Sequence, residues 1–363
     1  MQGVAAVFLV TLGIGQLAAT VLQLRGASLV GGSRWLGYLC GLGLLLLGGV
    51  ILPNSFVVLL WTPVIGLLAV SVLLLGGSFF WPPPNPDQIF EPDHPAHGTC
   101  RRVEIADGNN KIPGYWLMPP GGSEAAICLV HGAGDTKTSF KWRLIRALLA
   151  EGLAVLTIDL PGHGDYRYRP LAYPEVLTSI PAALRFLRAQ PDIYRVGVVG
   201  ISLGGAIAIR SLAERSVAEP DLAEALVILE TPIQLKLSKS LFYREMWNTY
   251  YGSPVLDLLR EMSAKQVWDT WHEGGYRSRH STSSLFDLLD PLVNIKRLDP
   301  MPILLVYSRR DRVAPPEHAQ AMHQAAPQAT LIETKKASHV VLTLIPVINC
   351  QVASWLKEQL AAT

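Results

Sequence analysis

Charge is nearly missing from the start of this chain. Up to about residue 80 the only charged side chains are Arg25 and Arg34, and over all 363 residues charged types reach 17% against 50% apolar. With a mean hydropathy of +0.28, that balance excludes an ordinary soluble protein along the whole length. A strong net charge is absent too. The 31 Lys and Arg residues offset 29 Asp and Glu residues to a net +2 and form no basic stripe, which argues against a nucleic-acid partner. Cysteine is scarce. Of the four, Cys40 lies in a membrane-like run, Cys128 in an apolar strand pattern and Cys350 in the last helical pattern, so only Cys100 reads as exposed. No disulfide framework follows, and free thiols in a reducing compartment are expected. Metal ligands are short as well. His94, His97 and Cys100 are spaced three apart, but no fourth ligand accompanies them and the nearby prolines argue against a helix.

What the first 80 residues do contain is three apolar runs. Residues 4–24 carry no charge before Arg25 and, at 1.5 Å per residue, span roughly 30 Å of hydrocarbon. Residues 35–52 are rich in Leu and Gly, and residues 56–80 are long enough to cross with tilt. Pro53-Asn54-Ser55 reads as a tight turn between the second and third runs. A cleavable leader would explain only the first run, and no basic region precedes it. Three spans are expected, with a first span plus one longer re-entrant hairpin as the alternative. Arg25 and Arg34 mark the first loop as the cytoplasmic one, which puts the N-terminus outside and everything after the third span in the cytoplasm. Arg101 and Arg102 agree. The expected organisation is a transmembrane region at 1–80, a Pro-rich linker at 81–100 that includes the stiff Trp81-Pro82-Pro83-Pro84-Asn85-Pro86 spacer, and one domain at 101–363.

From residue 101 strand and helix patterns alternate. An edge hairpin is expected over 102–105 and 115–118, turning through Asp107-Gly108-Asn109. Further strands fall at 125–130, 153–158, 196–199, 225–229, 303–307 and 330–333, and helices at 142–150, 177–189, 317–325 and 347–360. This alternation implies a mostly parallel sheet covered on both faces. Within it, Val196-Gly197-Val198-Val199 runs into Gly200-Ile201-Ser202-Leu203-Gly204, and Ala206-Ile207-Ala208-Ile209 starts a helix. Strand, sharp turn and helix around Gly-x-Ser-x-Gly are the context of a nucleophile elbow. Gly200 and Gly204 remove side chains that would crowd Ser202, whose hydroxyl then meets a helix N-terminus that favours a developing anion.

Residues 101–360 resemble an α/β-hydrolase, nearest in look to monoacylglycerol-lipase-like and serine-aminopeptidase-like members. Four motifs carry the resemblance, in the family's order. Val130-His131-Gly132-Ala133-Gly134 resembles the oxyanion loop, which implies the Ala133 N–H as one oxyanion donor and the Leu203 N–H as the other; the His131 side chain is expected to hold the loop. Asp159-Leu160-Pro161-Gly162-His163-Gly164 resembles the family's structural turn, and His163 as a base would stand before the nucleophile, against the family's order. Arg309-Arg310-Asp311-Arg312 follows an apolar strand and resembles the acid loop, with Asp311 the acid; Glu230, ending the previous strand, is the reserve. Lys336-Ala337-Ser338-His339 resembles the histidine loop. The order Ser202, Asp311, His339 implies nucleophile, acid and base, with no cofactor and no metal.

Between about 231 and 290 the alternation breaks, and Leu241, Phe242, Tyr243, Met246, Trp247, Tyr250, Tyr251, Val267, Trp268 and Trp271 gather there. The resemblance implies a helical cap over the nucleophile. These side chains can form the cap's own core or an apolar acyl pocket. The expected function is a membrane-anchored serine hydrolase acting on a small-molecule or lipid ester, anchored in the bilayer by its N-terminal spans. An amide or peptide hydrolase with the same triad, and a catalytically silent binding module, are the alternatives.

Overall fold

The structure is a computed structural model. It describes residues 2–21, 34–51, 98–139, 141–215, 223–236 and 275–361 except residue 336, with a few further positions within 65–73 and 238–245. The described residues belong to two compact units, one within Met1–Pro84 and the other within Asn85–Pro254 and Glu273–Thr363.

The first unit contains helices α1 (Gln2–Val21) and α2 (Arg34–Ile51). The stretch Gln2–Thr20 is long and apolar enough to cross a membrane, with a mean hydropathy of 1.8, and Trp35–Ile51 is a shorter apolar helix. The expected third span lies outside the described residues apart from a few positions between 65 and 73. The two helices pack backbone to backbone through glycines. A Cβ added at Gly13 would lie 2.8 Å from the Gly41 carbonyl oxygen, and one at Gly48 would lie 2.9 Å from the Ala6 oxygen. Small residues of this kind let apolar helices approach closely in a bilayer. Gln16, fully buried, donates to the Thr20 hydroxyl at 3.0 Å, so a polar group in an apolar helix pair finds a local partner.

The second unit is built on one eight-stranded sheet. Its strands are β1 (Thr99–Asp107), β2 (Asn110–Met118), β3 (Ala125–Val130), β4 (Ala154–Ile158), β5 (Arg195–Ile201), β6 (Ala225–Leu229), β7 (Ile303–Ser308) and β8 (Thr330–Thr334), in the spatial order β1-β2-β4-β3-β5-β6-β7-β8. The β1–β2 hairpin runs antiparallel, joins β4 antiparallel, and every later pairing is parallel. Strands β3, β4, β6 and β7 are buried at every position, as continuous apolar runs covered on both faces must be. All eight strands fall where the sequence predicts them, most of them extended by a residue or more.

Among the described residues, the longer helices beside the sheet are α3 (Trp142–Ala150), α4 (Ser179–Arg188), α5 (Leu203–Arg215), α6 (Thr282–Leu289), α7 (Pro316–Ala325) and α8 (Pro346–Leu360). Helix α8 packs on α3, whereas α5 packs with α4 and α6. Right-handed crossovers put the βα units leading from β3 towards β4, and those leading from β5 towards β8, on opposite faces. The direction of winding therefore reverses beside β3 and β5. In open α/β sheets that reversal opens a crevice at the carboxyl ends of the strands.

Candidate active site

The loops after β3, β5, β7 and β8 meet at those carboxyl ends. Ser202 stands between β5 and α5 with φ 50, left-handed backbone that a side chain rarely adopts and that costs about 1–3 kcal/mol. Neighbouring bonds hold it there. The Ser202 N–H donates to the Leu229 carbonyl at 2.8 Å, and the Thr231 hydroxyl donates to the Ser202 carbonyl at 2.9 Å. The flanking glycines are steric requirements. A Cβ at Gly200 would lie 2.5 Å from the Gly205 Cα, and one at Gly204 would lie 2.6 Å from the Val130 oxygen. Ser202 itself is 8% exposed.

His339, in the loop between β8 and α8, meets the serine: its Nε2 lies 2.9 Å from the Ser202 Oγ. Its Nδ1 lies 2.7 Å from the Asp311 Oδ2. Asp311, after β7, is buried, and its Oδ1 accepts the Val313 N–H at 2.7 Å and the Ala314 N–H at 2.8 Å. With the carboxylate so fixed, the Nδ1–H donates to it, and the Nε2 lone pair is left for the serine hydroxyl. Burial pushes the imidazole down, but the Asp311 charge, its hydrogen bond and the Glu245 charge outweigh this and hold His339 above its ordinary value. The three residues assigned by sequence thus form one continuous relay.

The two expected oxyanion donors border the same serine. Leu203 is the first residue of α5, so its N–H is among those a helix start leaves unpaired. The turn after β3 lies against Ser202, since a Cβ at Gly132 would sit 3.3 Å from the Ser202 Cβ, and Ala133 follows it. The other two histidines do structural work. His131 accepts the Leu160 N–H at Nε2, 2.9 Å away, and its Nδ1 lies 2.8 Å from the Gly132 carbonyl oxygen. His163 stacks on Tyr276 at 4.5 Å, and burial lowers it to about 4.

The sequence profile of the alpha/beta hydrolase family matches residues 129–344, more than half of the chain. The chain belongs to the α/β-hydrolase family. It is similar to an uncharacterized protein of Mycobacterium tuberculosis, 25% identical over 237 residues that cover 58% of this chain and 68% of that one. Esterase FrsA of Vibrio cholerae is 32% identical over 138 residues, covering 37% of this chain and 32% of FrsA, so the match spans about a third of that relative. Among solved structures, an esterase from Pyrococcus furiosus superposes with a TM-score of 0.52 at 23% identity, covering 77% of this chain and 97% of that one; at that identity the likeness is one of fold.

Two carboxyl groups complete the surroundings of this hydrolase's histidine. Glu230, the reserve acid, follows β6 with φ 49. It is buried, and its Oε1 has no hydrogen-bond partner among the described residues. Burial, then the Asp311 and Glu245 charges, push it well above the usual carboxylate range, which favours its uncharged form. Ligand atoms of Glu230, Asp311 and His339 lie within 4.8 Å of one another, a spacing that could hold a cation, but Asp311 and His339 are already spent on each other. Glu245 is the residue that sequence reasoning missed. It is one of several carboxylates in the expected cap, with no motif spacing to mark it, and only tertiary contact brings it to His339. Of the side chains gathered in the expected cap, all but Leu241 lie outside the described residues, as do His94 and His97.

Proposed function

We propose that this hydrolase is a membrane-anchored serine esterase working through an acyl-enzyme on Ser202, with His339 as base, Asp311 as acid, and the Ala133 and Leu203 N–H groups as oxyanion donors. The observation that carries the reading is the unbroken Ser202–His339–Asp311 relay, 2.9 and 2.7 Å. As the serine oxygen attacks the ester carbonyl, His339 Nε2 takes its proton and later gives it to the leaving alcohol, while Asp311 stabilises the imidazolium. Each oxyanion donor contributes about 3–4 kcal/mol to the tetrahedral intermediate. Water then repeats the sequence on the acyl-enzyme. The names of relatives such as FrsA favour an ester over an amide.

The anchor reading rests on the composition of the first 80 residues. It extends to three spans, a cytoplasmic catalytic domain set by Arg25 and Arg34, and a lipid or acylated amphiphile as the ester. Labelling with a fluorophosphonate tests the nucleophile. Wild type should be labelled at Ser202, and Ser202→Ala and His339→Ala should each lose at least about 10³-fold in kcat while folding normally. Full labelling of Ser202→Ala would sink the assignment. An acyl-chain-length series of esters tests the substrate, and a preference for short, water-soluble chains would remove the lipid.

A further inference from the structure

We propose that Glu245 is a positioning residue for the base: its carboxylate ties the Asp311 loop to the His339 loop and sets a second negative charge beside the imidazole. The inference rests on the serine-hydrolase reading of this site. Glu245 Oε1 accepts the His339 N–H at 2.6 Å, and Oε2 accepts the Arg312 N–H at 3.2 Å. Those N–H groups belong to loops that follow different strands, β8 and β7. One side chain, 4% exposed, therefore sets the spacing of the two loops whose residues must meet to form the relay. Without it both N–H groups would lose this acceptor, and the two loops would lose the side chain that spaces them.

The charge matters because the neighbouring groups do not cancel it. Burial pushes Glu230, at the end of β6, towards its uncharged form. Tyr307 on β7 is raised by burial and then by the Asp311 charge. His318 on α7 is lowered by burial. The Arg310 and Arg312 side chains are exposed, where solvent screens them. Among the described residues, that leaves Asp311 and Glu245 as the negative charges facing the imidazole. Glu245, itself raised by burial and then by the Asp311 charge, takes up its charge later in a titration than an exposed glutamate. When ionised it favours the imidazolium, so His339 becomes an effective base only at higher pH.

The full-length chain in detergent decides this, read as the rate of Ser202 labelling by a fluorophosphonate and of hydrolysis of a short chromogenic ester over about pH 5 to 9. Glu245→Gln keeps the shape and one acceptor but removes the charge. Its acid limb should move to lower pH by about half a unit or more, with an alkaline plateau within about tenfold of wild type. Glu245→Asp keeps the charge but shortens the reach, so its limb should stay while its plateau drops. A side chain that only fills space would lower the rate alike at every pH. A Glu245→Gln limb that stays put or rises overturns the proposal. If that variant fails to fold, a Glu245→Asp plateau equal to wild type overturns it instead. A wild type unlabelled at Ser202 would overturn the serine-hydrolase reading itself, an outcome distinct from a labelled enzyme with an unmoved limb.

Discussion

Ser202 and Glu230 share a left-handed backbone at the ends of neighbouring strands, with φ 50 and 49, yet they stand in opposite chemical states. Ser202 is aimed at a base. Glu230 is sealed in, and burial favours its uncharged form. The acid role should therefore fall to Asp311, whose carboxylate meets His339 Nδ1: Asp311→Asn should lower kcat by about 10³-fold or more, whereas Glu230→Gln, which keeps the shape of the side chain, should stay within about tenfold. The opposite ranking in steady-state kinetics would move the acid to the end of β6. His163 bears on stability. Burial lowers it from 6.5 to about 4 in the folded chain, so between those values the unfolded chain binds a proton that the folded one refuses. Stability from this group is complete above about 6.5 and is lost as the pH falls towards 4. His163→Phe keeps a ring against Tyr276 without the titration. Its melting temperature should fall less steeply over that window than that of wild type, and equal slopes would exclude His163 as a source.

At the scale of elements, the β5–α5 turn is where steric demand and chemistry coincide. A methyl group at Gly204 would press on the carbonyl oxygens of His131 and Val130, both at the base of the loop that holds Ala133. Gly204→Ala should cost about 1–3 kcal/mol in denaturant unfolding and lower kcat as well, since the oxyanion loop is what must shift. Unchanged unfolding would mean that the loop yields freely. The loops after β4 and before α6 also fit together locally. The Arg277 N–H donates to the Gly162 carbonyl at 3.0 Å, and the Leu171 N–H donates to the Arg277 carbonyl at 2.8 Å, so the downstream end of the expected cap is fastened beside the Asp159–Gly164 turn. The alternation of strand and helix was legible here because buried parallel strands must be apolar throughout and their turns need glycine. The expected cap rests on the resemblance alone, because its aromatics follow neither period, and most of it lies outside the described residues.

For the whole molecule, the proposed anchoring rests on the uneven distribution of charge. An apolar helix with a mean hydropathy of 1.8 over Gln2–Thr20, packed through glycines on a second one, would expose large apolar areas to water. The full chain should sediment with membranes and resist carbonate extraction, while a chain starting at Glu91 should be released. That shorter chain should hydrolyse short soluble esters at close to the full-length kcat but act slowly on bilayer-embedded substrate, because anchoring supplies local concentration rather than chemistry. Equal rates on embedded lipid would reduce the apolar region to an address.

The sequence by itself determined the sheet and its parallel sense, and it marked Ser202 and His339 as candidates, with Asp311 as the expected acid and Glu230 in reserve. Strand burial, glycine at a crowded turn and the chain order of the motifs are local properties that residues state directly. Only the tertiary structure decided between Asp311 and Glu230 as the partner of His339, since both end adjacent strands and differ only in which oxygen reaches the imidazole. It alone revealed Glu245, 94 residues before His339, because one carboxylate among several in the expected cap has no spacing to mark it and meets its partners only when two distant loops close on it.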